Sequence, residues 1–422
     1  MNFVQALELL ERRQETRWKL GLGRAESLLK TLGNPQNDVP VVHVAGTNGK
    51  GSFCAMLSSV LEASGRRVGL FTSPHLIGPR ERIRIDGKSI SEEDFAQAIT
   101  AVQDAETEDA SYFEMVTAAA FLHFRRVGAD IAVVEVGMGG RLDATNTISR
   151  PLLSVITSID IDHAKHLGAT PTDIAKEKAG IIKPDVPCLI GPDNREAQNV
   201  IRGRAEALNS KWSLPGPSPR AAEVFWQEGA QDIEAGGVRY RLGLLGAPAV
   251  KNAGLVLTAV DLLRKQNIGI PQEAVEKGLS RVRWPGRFEV QAAAGGRTLV
   301  LDGAHNPAAM EAFVKTWRAC PWSEDAMIIF GVLKDKDYVA MIQRLAPYAS
   351  RVVATSPRSP RSLSAAQAVM HFRAAGCVGV QSAPDAGRAI KAWHDSKIPH
   401  CAVVGSFYLV GEVLERVSET PV

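Results

Sequence analysis

A glycine-rich turn stands between an apolar run and a stretch with helical spacing of apolar residues, in the sequence AGTNGKGS (residues 45–52). Glycines let a backbone approach an anion closely, Lys50 adds a mobile positive charge, and a helix N-terminus adds a favourable dipole. The segment therefore predicts a triphosphate-binding loop. Its spacing departs from the common G-x-x-x-x-G-K-[ST] pattern, because only two residues separate Gly46 from Gly49 and Gly51 precedes Ser52. A merely tight strand-to-helix turn is the alternative.

Carboxylates end two further apolar runs. In VVEVGMGGRLDATN (residues 133–146), Glu135 lies where a parallel strand would end beside the phosphate loop, which is a usual place for a magnesium ligand. We therefore interpret Glu135 as a metal ligand, with a structural ion pair to an arginine as the alternative. The run SIDIDHAKHLG (residues 158–168) presents Asp160, Asp162, His163 and His166 at the same edge, although either histidine could be an ordinary loop residue.

Cations follow the run GLFTSPHLIGPRERIRI (residues 69–85). Ser73 and His75 come first, and Arg80, Arg82 and Arg84 come next. An arginine fork is suited to a substrate carboxylate. The alternation of RERIRI also fits a plain half-exposed strand, so both interpretations stay open.

Polar residues also end a run in the C-terminal part of the chain, LVLDGAHNPAAM (residues 299–310). Asp302, His305 and Asn306 would face the N-terminal domain if the two parts close on a ligand. A turn that caps the following helix is the alternative, and it is compatible with the first.

A lysine lies on the apolar face of a short predicted helix in GATPTDIAKEKAGIIKP (residues 168–184). Thr170 is the predicted cap, Pro171 the first helical residue and Gly180 the stop. Lys178 follows Ile174 by four residues, so it shares the apolar face. Burial would lower the pKa of this lysine and leave an amine able to react with carbon dioxide. An unmodified lysine that reaches solvent or contacts phosphate is the alternative.

Short β-branched runs alternate with helical segments along the chain, so the predicted fold class is α/β with parallel sheets. The pattern indicates three parts, namely an N-terminal domain (1–284), a hinge or linker (285–297) and a smaller C-terminal α/β domain (298–422). A less regular region (194–246) looks antiparallel and could be an edge elaboration of the first sheet. The predicted strands are Val41–Ala45, Val68–Phe71, Ile131–Val136, Leu152–Thr157, Pro187–Ile190, Thr298–Leu301, Met327–Phe330, Arg351–Ala354 and Ala402–Val404.

Composition excludes several classes of protein. The chain has 422 residues, 45% of them hydrophobic, and a net charge of +3 from 49 basic and 46 acidic residues. No block of like charge predicts a nucleic-acid or membrane partner. The five cysteines are scattered and include no C-x-x-C pair, which argues against a disulfide framework or zinc site. We expect a cytoplasmic protein, since no signal-peptide core or spanning apolar run is present, and we expect it to be a monomer.

Taken in order, these motifs resemble the folylpolyglutamate synthase and dihydrofolate synthase family within the Mur ligase superfamily. The resemblance covers nearly the whole chain, and such a series is highly specific. It is carried by HVAGTNGKGS, FTSPHL with RERI, YFEMVTAAAF, EVGMGGRLDATN, DHAKHLG, EKAGI, PGRF, LDGAHNP, GVLKDKD and GSFYLVGEV. The resemblance implies an N-terminal P-loop-type ATPase domain and a C-terminal Rossmann-like domain. It also implies activation of a pteroate or folate carboxylate as an acyl phosphate, followed by attack of the L-glutamate amine.

The resemblance also assigns roles to individual residues. The triphosphate of ATP would be held by Gly49, Lys50, Gly51 and Ser52, and Mg²⁺ by Ser52, Ser73, Glu135 and His163. Positions that reach the nucleotide across the hinge match Asn252, Arg287 and Asp302, with His305 beside them. The pterin-binding stretches match Ser111, Tyr112, Phe113, Glu114, Leu142, Asp143 and Ala144, with Arg82 as a further substrate contact. The expected catalytic residues are Lys50, His163 and Lys178, and Lys178 matches a lysine that is carbamylated in relatives.

One departure and two alternatives accompany the resemblance. Many relatives have a histidine–glutamine pair before the asparagine matched by Asn252, whereas this chain reads GAPAVKNAG (residues 246–254). A peptidoglycan Mur ligase would share the ATP chemistry, but the phosphate loop begins only about 45 residues into the chain, too few for a separate UDP-binding domain. A non-catalytic nucleotide switch would be expected to carry an N-K-x-D motif, and none is seen.

Overall fold

The computed structural model describes residues 1–13, 21–162 and 167–419. The described helices are α1 (Phe3–Arg12), α2 (Gly23–Thr31), α3 (Lys50–Ala63), α4 (Glu92–Asp104), α5 (Tyr112–Arg126), α6 (Pro171–Ala179), α7 (Arg195–Ala207), α8 (Ala247–Arg264), α9 (Gln272–Arg281), α10 (Pro307–Ala319), α11 (Tyr338–Leu345), α12 (Ala365–Ala374), α13 (Ala386–Asp395) and α14 (Phe407–Glu419). The described strands are β1 (Val41–Ala45), β2 (Val68–Phe71), β3 (Ile83–Ile85), β4 (Lys88–Ser89), β5 (Ile131–Glu135), β6 (Leu153–Ile156), β7 (Cys188–Ile190), β8 (Trp212–Ser213), β9 (Arg220–Phe225), β10 (Ala230–Ala235), β11 (Val238–Leu242), β12 (Glu289–Ala293), β13 (Arg297–Asp302), β14 (Ala326–Phe330), β15 (Arg351–Ala354), β16 (Gly379–Ser382) and β17 (His400–Val404).

All nine strands predicted from the sequence are present, with ends that shift by two residues at most. The predicted α/β class is therefore confirmed. The chain divides into two compact units, of which the first comprises Met1–Ser218 and Lys251–Val282, and the second Pro219–Val250 and Arg283–Val422. No helix in the described ranges combines the length and the apolar character that crossing a membrane requires.

The first unit is built on a mainly parallel sheet. Among the described residues its strand order is β4-β3-β2-β5-β1-β6-β7-β8, and only the β2-β3 and β3-β4 pairs are antiparallel. Strand β1 lies near the centre with all five residues buried. In the register, Val44 is opposite both Glu135 and Val155. The carboxyl ends of β1, β5 and β6 therefore meet at one edge, where ligands bind in open α/β sheets.

Apolar side chains fill both faces of this sheet. On one face, Phe71, Phe95 and Phe124 belong to a cluster of buried residues, and Ile156 packs with Ile174 of α6 farther along the same face. Val42 and Val44 of β1 point to the other face and are buried as well. Burying each such side chain stabilises the fold by roughly 1.5–3 kcal/mol. The strands that carry the sheet edge are thus fixed by a close-packed core rather than by the loops above them.

The second unit contains two sheets. The larger has the order β12-β13-β17-β14-β15-β16, with β12 antiparallel to β13 and the other pairs parallel. Its core includes Trp317, Phe330 and Phe372. The smaller sheet, β11-β10-β9, is antiparallel throughout.

Two sequence-based expectations differ from this arrangement. Residues 285–297, expected to form a linker, include strand β12, which pairs with β13 along Glu289–Ala293. The less regular region (194–246) is an edge of the first sheet only at β8, which pairs with β7, whereas β9–β11 form a separate antiparallel sheet and bond only to one another among the described residues. At the expected linker, Pro285, Gly286 and the Gly295–Gly296 pair suggested a break, whereas pairing with the neighbouring strand β13 decided the structure.

Candidate active site

The glycine-rich loop joins β1 to α3 in a conformation that requires glycine. Gly49 is the residue before the helix and has a φ of 82°. A side-chain carbon at this position would lie 2.8 Å from Nδ2 of Asn252, which itself donates to the Gly49 carbonyl at 3.2 Å. Gly46 has a φ of 151°, and a side-chain carbon there would overlap the hydroxyl of Thr157. The loop is therefore packed against Asn252 and Thr157 at these two glycines. A glycine backbone of this kind can approach an anion closely.

Asn252 lies on α8 in the same unit as the loop. The expectation that this residue reaches the site from beyond the hinge is therefore wrong. It supports the backbone of the loop at Gly49 instead.

Polar contacts fix the loop to the end of β6. The Asn48 amide N–H donates to Ser158 Oγ at 2.9 Å, and its side chain donates to Asp160 Oδ2 at 3.0 Å. Thr157 Oγ1 donates to the Asn48 carbonyl at 2.8 Å. Asp160, a candidate from the sequence, thus has a structural role in holding the loop. Asn48 was missed by sequence reasoning, because a turn asparagine carries no signal for a partner 112 residues away.

A lysine and a glutamate face each other above the sheet edge. Lys50 Nζ lies 3.8 Å from Glu135 Oε1 and donates to the Thr47 carbonyl at 3.3 Å. The Ser73 amide donates to Glu135 Oε2 at 3.1 Å. Only 3% of Glu135 is exposed. The structure thus brings together the charged group of the loop and two of the expected metal ligands, with Ser52 on the first turn of α3.

The remaining expected metal ligand, His163, and its neighbour His166 lie outside the described residues. Within the described ranges, no group of three or more His, Cys, Asp or Glu side chains could hold a metal by itself. A metal here would depend on hydroxyl groups and on oxygens of a bound substrate as well as on Glu135. That donor set suits Mg²⁺, which binds through one or two carboxylates and substrate phosphates.

The helix that carries Lys178 forms as the sequence predicts. It spans Pro171–Ala179, the Thr170 hydroxyl accepts a bond from the Asp173 amide, and Gly180 is the C-cap. Lys178 is 4% exposed. Burial, followed by the positive charge of Lys50, lowers its pKa to about 7. Three carboxylates near the loop ends oppose this shift, namely Asp162, Asp143 and Asp160.

The loop of residues 137–146 packs on this helix. A side-chain carbon at Gly140, whose φ is 159°, would lie 2.9 Å from the Glu177 carbonyl oxygen. The Arg141 amide donates to the same carbonyl at 2.8 Å, and the Arg141 guanidinium pairs with the Glu177 carboxylate at 2.9 Å. The expected substrate stretch Leu142–Ala144 therefore stands next to Lys178.

Within that stretch, the Asp143 side chain turns into the protein. Its Oδ2 accepts the Met138 amide at 2.9 Å, and its Oδ1 accepts the Thr145 amide at 3.0 Å. Burial raises the pKa of Asp143, and the bond from the Thr145 hydroxyl opposes that rise. The carboxylate of Asp143 shapes the loop, so a substrate contact in this stretch falls to its backbone and to the partly exposed Leu142.

The second expected substrate stretch, residues 111–114, begins helix α5. Ser111 and Glu114 form a reciprocal cap, and Glu114 also pairs with Arg24 at 3.1 Å. The ring of Phe113 occupies the space beside Gly137, where a side-chain carbon would overlap it. Phe113 therefore brings the expected substrate stretch of α5 into contact with the start of the loop of residues 137–146. Arg24 was not identified from the sequence, since an arginine on a short surface helix has no distinctive pattern.

The three arginines that follow β2 take separate partners. Arg80 bonds to the Ile90 carbonyl and to Glu92, whereas Arg84 bonds to the Glu81 carbonyl. Arg82 donates to His75 Nδ1 at 2.8 Å, and its guanidinium lies 5.1 Å from the centre of the Tyr112 ring. Burial, followed by the charge of Arg82, lowers the pKa of His75 to about 3. Of the three arginines, Arg82 is the one placed against a substrate stretch.

The second unit has its own cluster of predicted residues at the end of β13. Asp302 accepts the amides of Phe288 and Ala304, each at 2.8 Å. Burial raises its pKa, and the charge of Arg287 opposes the rise. The Arg287 guanidinium lies 4.4 Å from the centre of the Phe407 ring, and the His305 ring lies 5.1 Å from the same centre.

Asn306 accepts the Ala309 amide at 2.8 Å and caps α10, so the capping interpretation of this segment is correct.

Comparison with known proteins gives a consistent picture. Residues 44–260 match the Mur ligase middle domain, and residues 286–404 match the Mur ligase glutamate ligase domain. The chain is 38% identical to the dihydrofolate synthase/folylpolyglutamate synthase of Bacillus subtilis, covering 82% of this chain and 83% of that protein. It is 36% identical to a probable bifunctional folylpolyglutamate synthase/dihydropteroate synthase of Haloferax volcanii, covering 98% of this chain but only 50% of that protein.

Two solved structures resemble the whole chain. Escherichia coli FolC in complex with DHPP and ADP superposes with a TM-score of 0.87 at 28% identity, covering 100% of this chain and 99% of that one. Mycobacterium tuberculosis folylpolyglutamate synthase complexed with ADP also gives a TM-score of 0.87, at 31% identity, covering 98% of this chain and 99% of that one.

Proposed function

Because this chain belongs to the folylpolyglutamate synthase and dihydrofolate synthase family of Mur ligases, we propose that it is an ATP-dependent ligase that adds L-glutamate to dihydropteroate, to reduced folates, or to both. One observation carries the proposal. In the first unit, the glycine-rich loop, the Lys50–Glu135 pair and the contact between Phe113 and Gly137 lie at one edge of a sheet. A nucleotide and an acceptor carboxylate could therefore meet there.

ATP is assigned to the glycine-rich loop. The backbone of Gly49, Lys50, Gly51 and Ser52 provides N–H groups at the start of α3, where the helix dipole favours phosphate. The ammonium group of Lys50 adds a charge that offsets negative charge on the transferred phosphoryl group. We also propose Arg287, Asp302 and His305 of the second unit as nucleotide contacts. Their support is the match to the family and their clustering around Phe407.

Magnesium is assigned to Ser52, Ser73, Glu135 and His163. The described part of this set fits the ion, because Glu135 is a buried carboxylate at the strand end with Lys50 as its near counter-charge. When bound, Mg²⁺ would withdraw charge from the phosphate oxygens of ATP. A Yersinia pestis enzyme of this family was solved in complex with AMPPNP and Mn ion, and this supports the assignment.

The proposed reaction has two steps. An oxygen of the acceptor carboxylate attacks the γ-phosphorus of ATP, the bond to ADP breaks, and an acyl phosphate forms. The amine nitrogen of L-glutamate then attacks the carbonyl carbon, loses a proton, and inorganic phosphate leaves as the amide forms. A free carboxylate is a poor electrophile, so the first step supplies the leaving group for the second. Lys50 contributes by stabilising the charge of the phosphoryl oxygens in both steps.

Lys178 is proposed as a carbamylated residue. Its burial beside the site and its pKa of about 7 leave a neutral amine at physiological pH. Such an amine reacts with carbon dioxide by forming a nitrogen–carbon bond and losing a proton. The product is anionic and would add a negative group beside the metal ligands.

A phosphate-release assay tests the function. Purified protein would receive ATP, Mg²⁺ and L-glutamate with dihydropteroate, tetrahydrofolate or a UDP-muramyl peptide as acceptor. We expect turnover with both pterin compounds, none with the peptide, and none when glutamate is omitted. Turnover with tetrahydrofolate alone would remove the dihydrofolate synthase activity from the proposal. Turnover with the UDP-muramyl peptide alone would replace the proposal by a peptidoglycan ligase.

A further inference from the structure

A buried chain of hydrogen bonds runs from the middle of the first sheet to the loop of residues 137–146. His43, in the centre of β1, bonds through Nε2 to Thr145 Oγ1 at 2.8 Å. Thr145 Oγ1 bonds in turn to Asp143 Oδ1 at 2.6 Å. The side chains of His43 and Thr145 are both 0% exposed, so water cannot replace either bond.

The proton positions along this series of hydrogen bonds follow from which atoms can only accept. The carboxyl group of Asp143 already accepts the amides of Met138 and Thr145, so it acts as an acceptor toward the Thr145 hydroxyl too. The hydroxyl proton therefore points to Asp143, and the lone pair of Thr145 Oγ1 is left for His43. Nε2 of His43 must be the donor. Its Nδ1 then carries no proton, which agrees with the lack of a hydrogen-bond partner for Nδ1 within the described residues.

The charge state of His43 supports this tautomer. Burial lowers the pKa of His43 to about 3, with a smaller contribution from the positive charge of Lys183. The imidazole is therefore neutral under ordinary conditions and has a single proton, which the geometry places on Nε2.

The loop of residues 137–146 is held by contacts to two elements, helix α6 and strand β1. Arg141 ties it to α6 through the Glu177 carbonyl. Asp143 ties it to β1 through Thr145 and His43. Leu142 lies between these two contacts. The Asn146 side-chain amide also donates to the carbonyls of Arg141 and Gly180, so losing the His43 contact would release Thr145 and Asp143 from β1 while the loop stays attached to α6.

We propose that His43 is a positioning residue for the acceptor-binding loop, acting through Thr145 and Asp143. The proposal rests on the proposed function, because the assignment of residues 142–144 to the acceptor comes from the family. His43 touches neither substrate nor nucleotide in this scheme. It affects binding of the pterin acceptor and leaves ATP binding at the glycine-rich loop unchanged.

Paired substitutions separate this role from simple packing. Glutamine places an amide N–H where Nε2 stands in histidine, whereas asparagine places it at the Nδ1 position and cannot reach Thr145. We expect His43→Gln to keep the KM for the pterin acceptor within about twofold, and His43→Asn to raise it about 5- to 10-fold with the KM for ATP unchanged. Thr145→Ser and Thr145→Val form a second pair. We expect Thr145→Ser, which keeps the hydroxyl, to behave as His43→Gln does, and Thr145→Val, which loses it, to behave as His43→Asn does.

Two measurements do not depend on catalysis. Long-range ¹H–¹⁵N spectra of the histidine-labelled full-length protein, assigned by comparison with His43→Gln, should give the Nε2–H tautomer for His43. Hydrogen–deuterium exchange of residues 137–146 should increase in His43→Asn and Thr145→Val. It should stay at the wild-type level in His43→Gln and Thr145→Ser.

These readouts distinguish the two proposals. If no pterin is turned over by the wild type, the proposed function fails, and the tautomer and exchange results still decide the role of His43. An Nδ1–H tautomer would overturn the inference. Wild-type exchange and wild-type acceptor KM in Thr145→Val would overturn it as well, even if His43→Asn does not fold.

Discussion

Lys50 Nζ lies 3.8 Å from Oε1 of Glu135, and the second oxygen of that carboxylate accepts the Ser73 amide at 3.1 Å. The two charges compensate each other at a buried sheet edge. Removing either one leaves the other without its counter-charge, which is costly in a site of low dielectric. Substitutions at this pair are therefore expected to change both the local electrostatics and the binding of phosphate.

Lys50→Ala should abolish turnover. The ammonium group is expected to contribute several kcal/mol to stabilisation of the transferring phosphoryl group, so the rate should fall about 10³-fold or more at saturating ATP. Phosphate release measures the rate, and circular dichroism checks that the fold is retained. Lys176→Ala is the matched control, because Lys176 is exposed on α6. A near-normal rate for Lys50→Ala would reject the phosphate-loop assignment.

Glu135→Gln should raise the Mg²⁺ concentration needed for half-maximal activity. Glutamine keeps the size of the side chain and its acceptor for the Ser73 amide, but it removes the negative charge. Loss or weakening of one ligand typically costs 10- to 100-fold in metal affinity or activity. Titration of activity with Mg²⁺ at fixed ATP gives the shift, with the exposed Glu92→Gln as control. An unchanged Mg²⁺ requirement would leave Glu135 as a counter-ion for Lys50 only.

Gly137→Ala should weaken acceptor binding through Phe113. An added side-chain carbon would overlap the Phe113 ring, so the contact between Phe113 and the loop of residues 137–146 must open. We expect a loss of stability of roughly 1–3 kcal/mol and a higher KM for the pterin acceptor, with the KM for ATP unchanged. Gly203→Ala is the control, because no atom lies within 4 Å of the added carbon in helix α7. That change should stabilise the protein slightly.

Much of this fold could be predicted because its signals are local. The nine predicted strands of the two larger sheets are short apolar runs, and the helix of Lys178 is specified by Thr170, Pro171 and Gly180 within eleven residues of sequence. The glycine-rich loop was also predictable, because backbone positions with a φ of 82° or 151°, as at Gly49 and Gly46, strongly favour glycine. Burial of Lys178 followed from its position on the apolar face.

The partners of polar side chains could not be predicted. Arg82 bonds to His75, and Asp143 turns toward Met138 and Thr145. Each choice depends on which distant backbone or ring lies within reach, and that depends on packing of the whole unit. His43 illustrates the point, because a histidine inside an apolar strand gives no indication of a partner 102 residues later.

Stability should depend on pH through Lys178. The pKa of this amine is about 7 in the folded protein and near 10.5 when unfolded, so the unfolded chain binds more protons between these values. The free energy of unfolding should therefore rise with pH across this window, by about 2–3 kcal/mol from about pH 7 to about pH 9. Lys178→Met should remove that rise, whereas Lys176→Met should keep it. Urea unfolding in buffer depleted of carbon dioxide measures the effect, and identical pH profiles for Lys178→Met and the wild type would contradict it.

Activity should depend on carbon dioxide through the same residue. A carbamate needs the neutral amine that burial of Lys178 provides. Its negative charge would be attracted by Lys50, whose positive charge lowers the pKa of the Lys178 amine. We expect Lys178→Ala to lose activity and to regain part of it when short-chain carboxylates are added, because these can replace the missing anion in the cavity left by the lysine. Depletion of bicarbonate should slow the wild type, and its return should restore the rate, while Lys178→Ala should not respond. Lys176→Ala should behave as the wild type does in both experiments. A fully active enzyme whose intact mass and electron density show an unmodified Lys178 would rule the carbamate out, and Lys178 would then act as a cation toward phosphate.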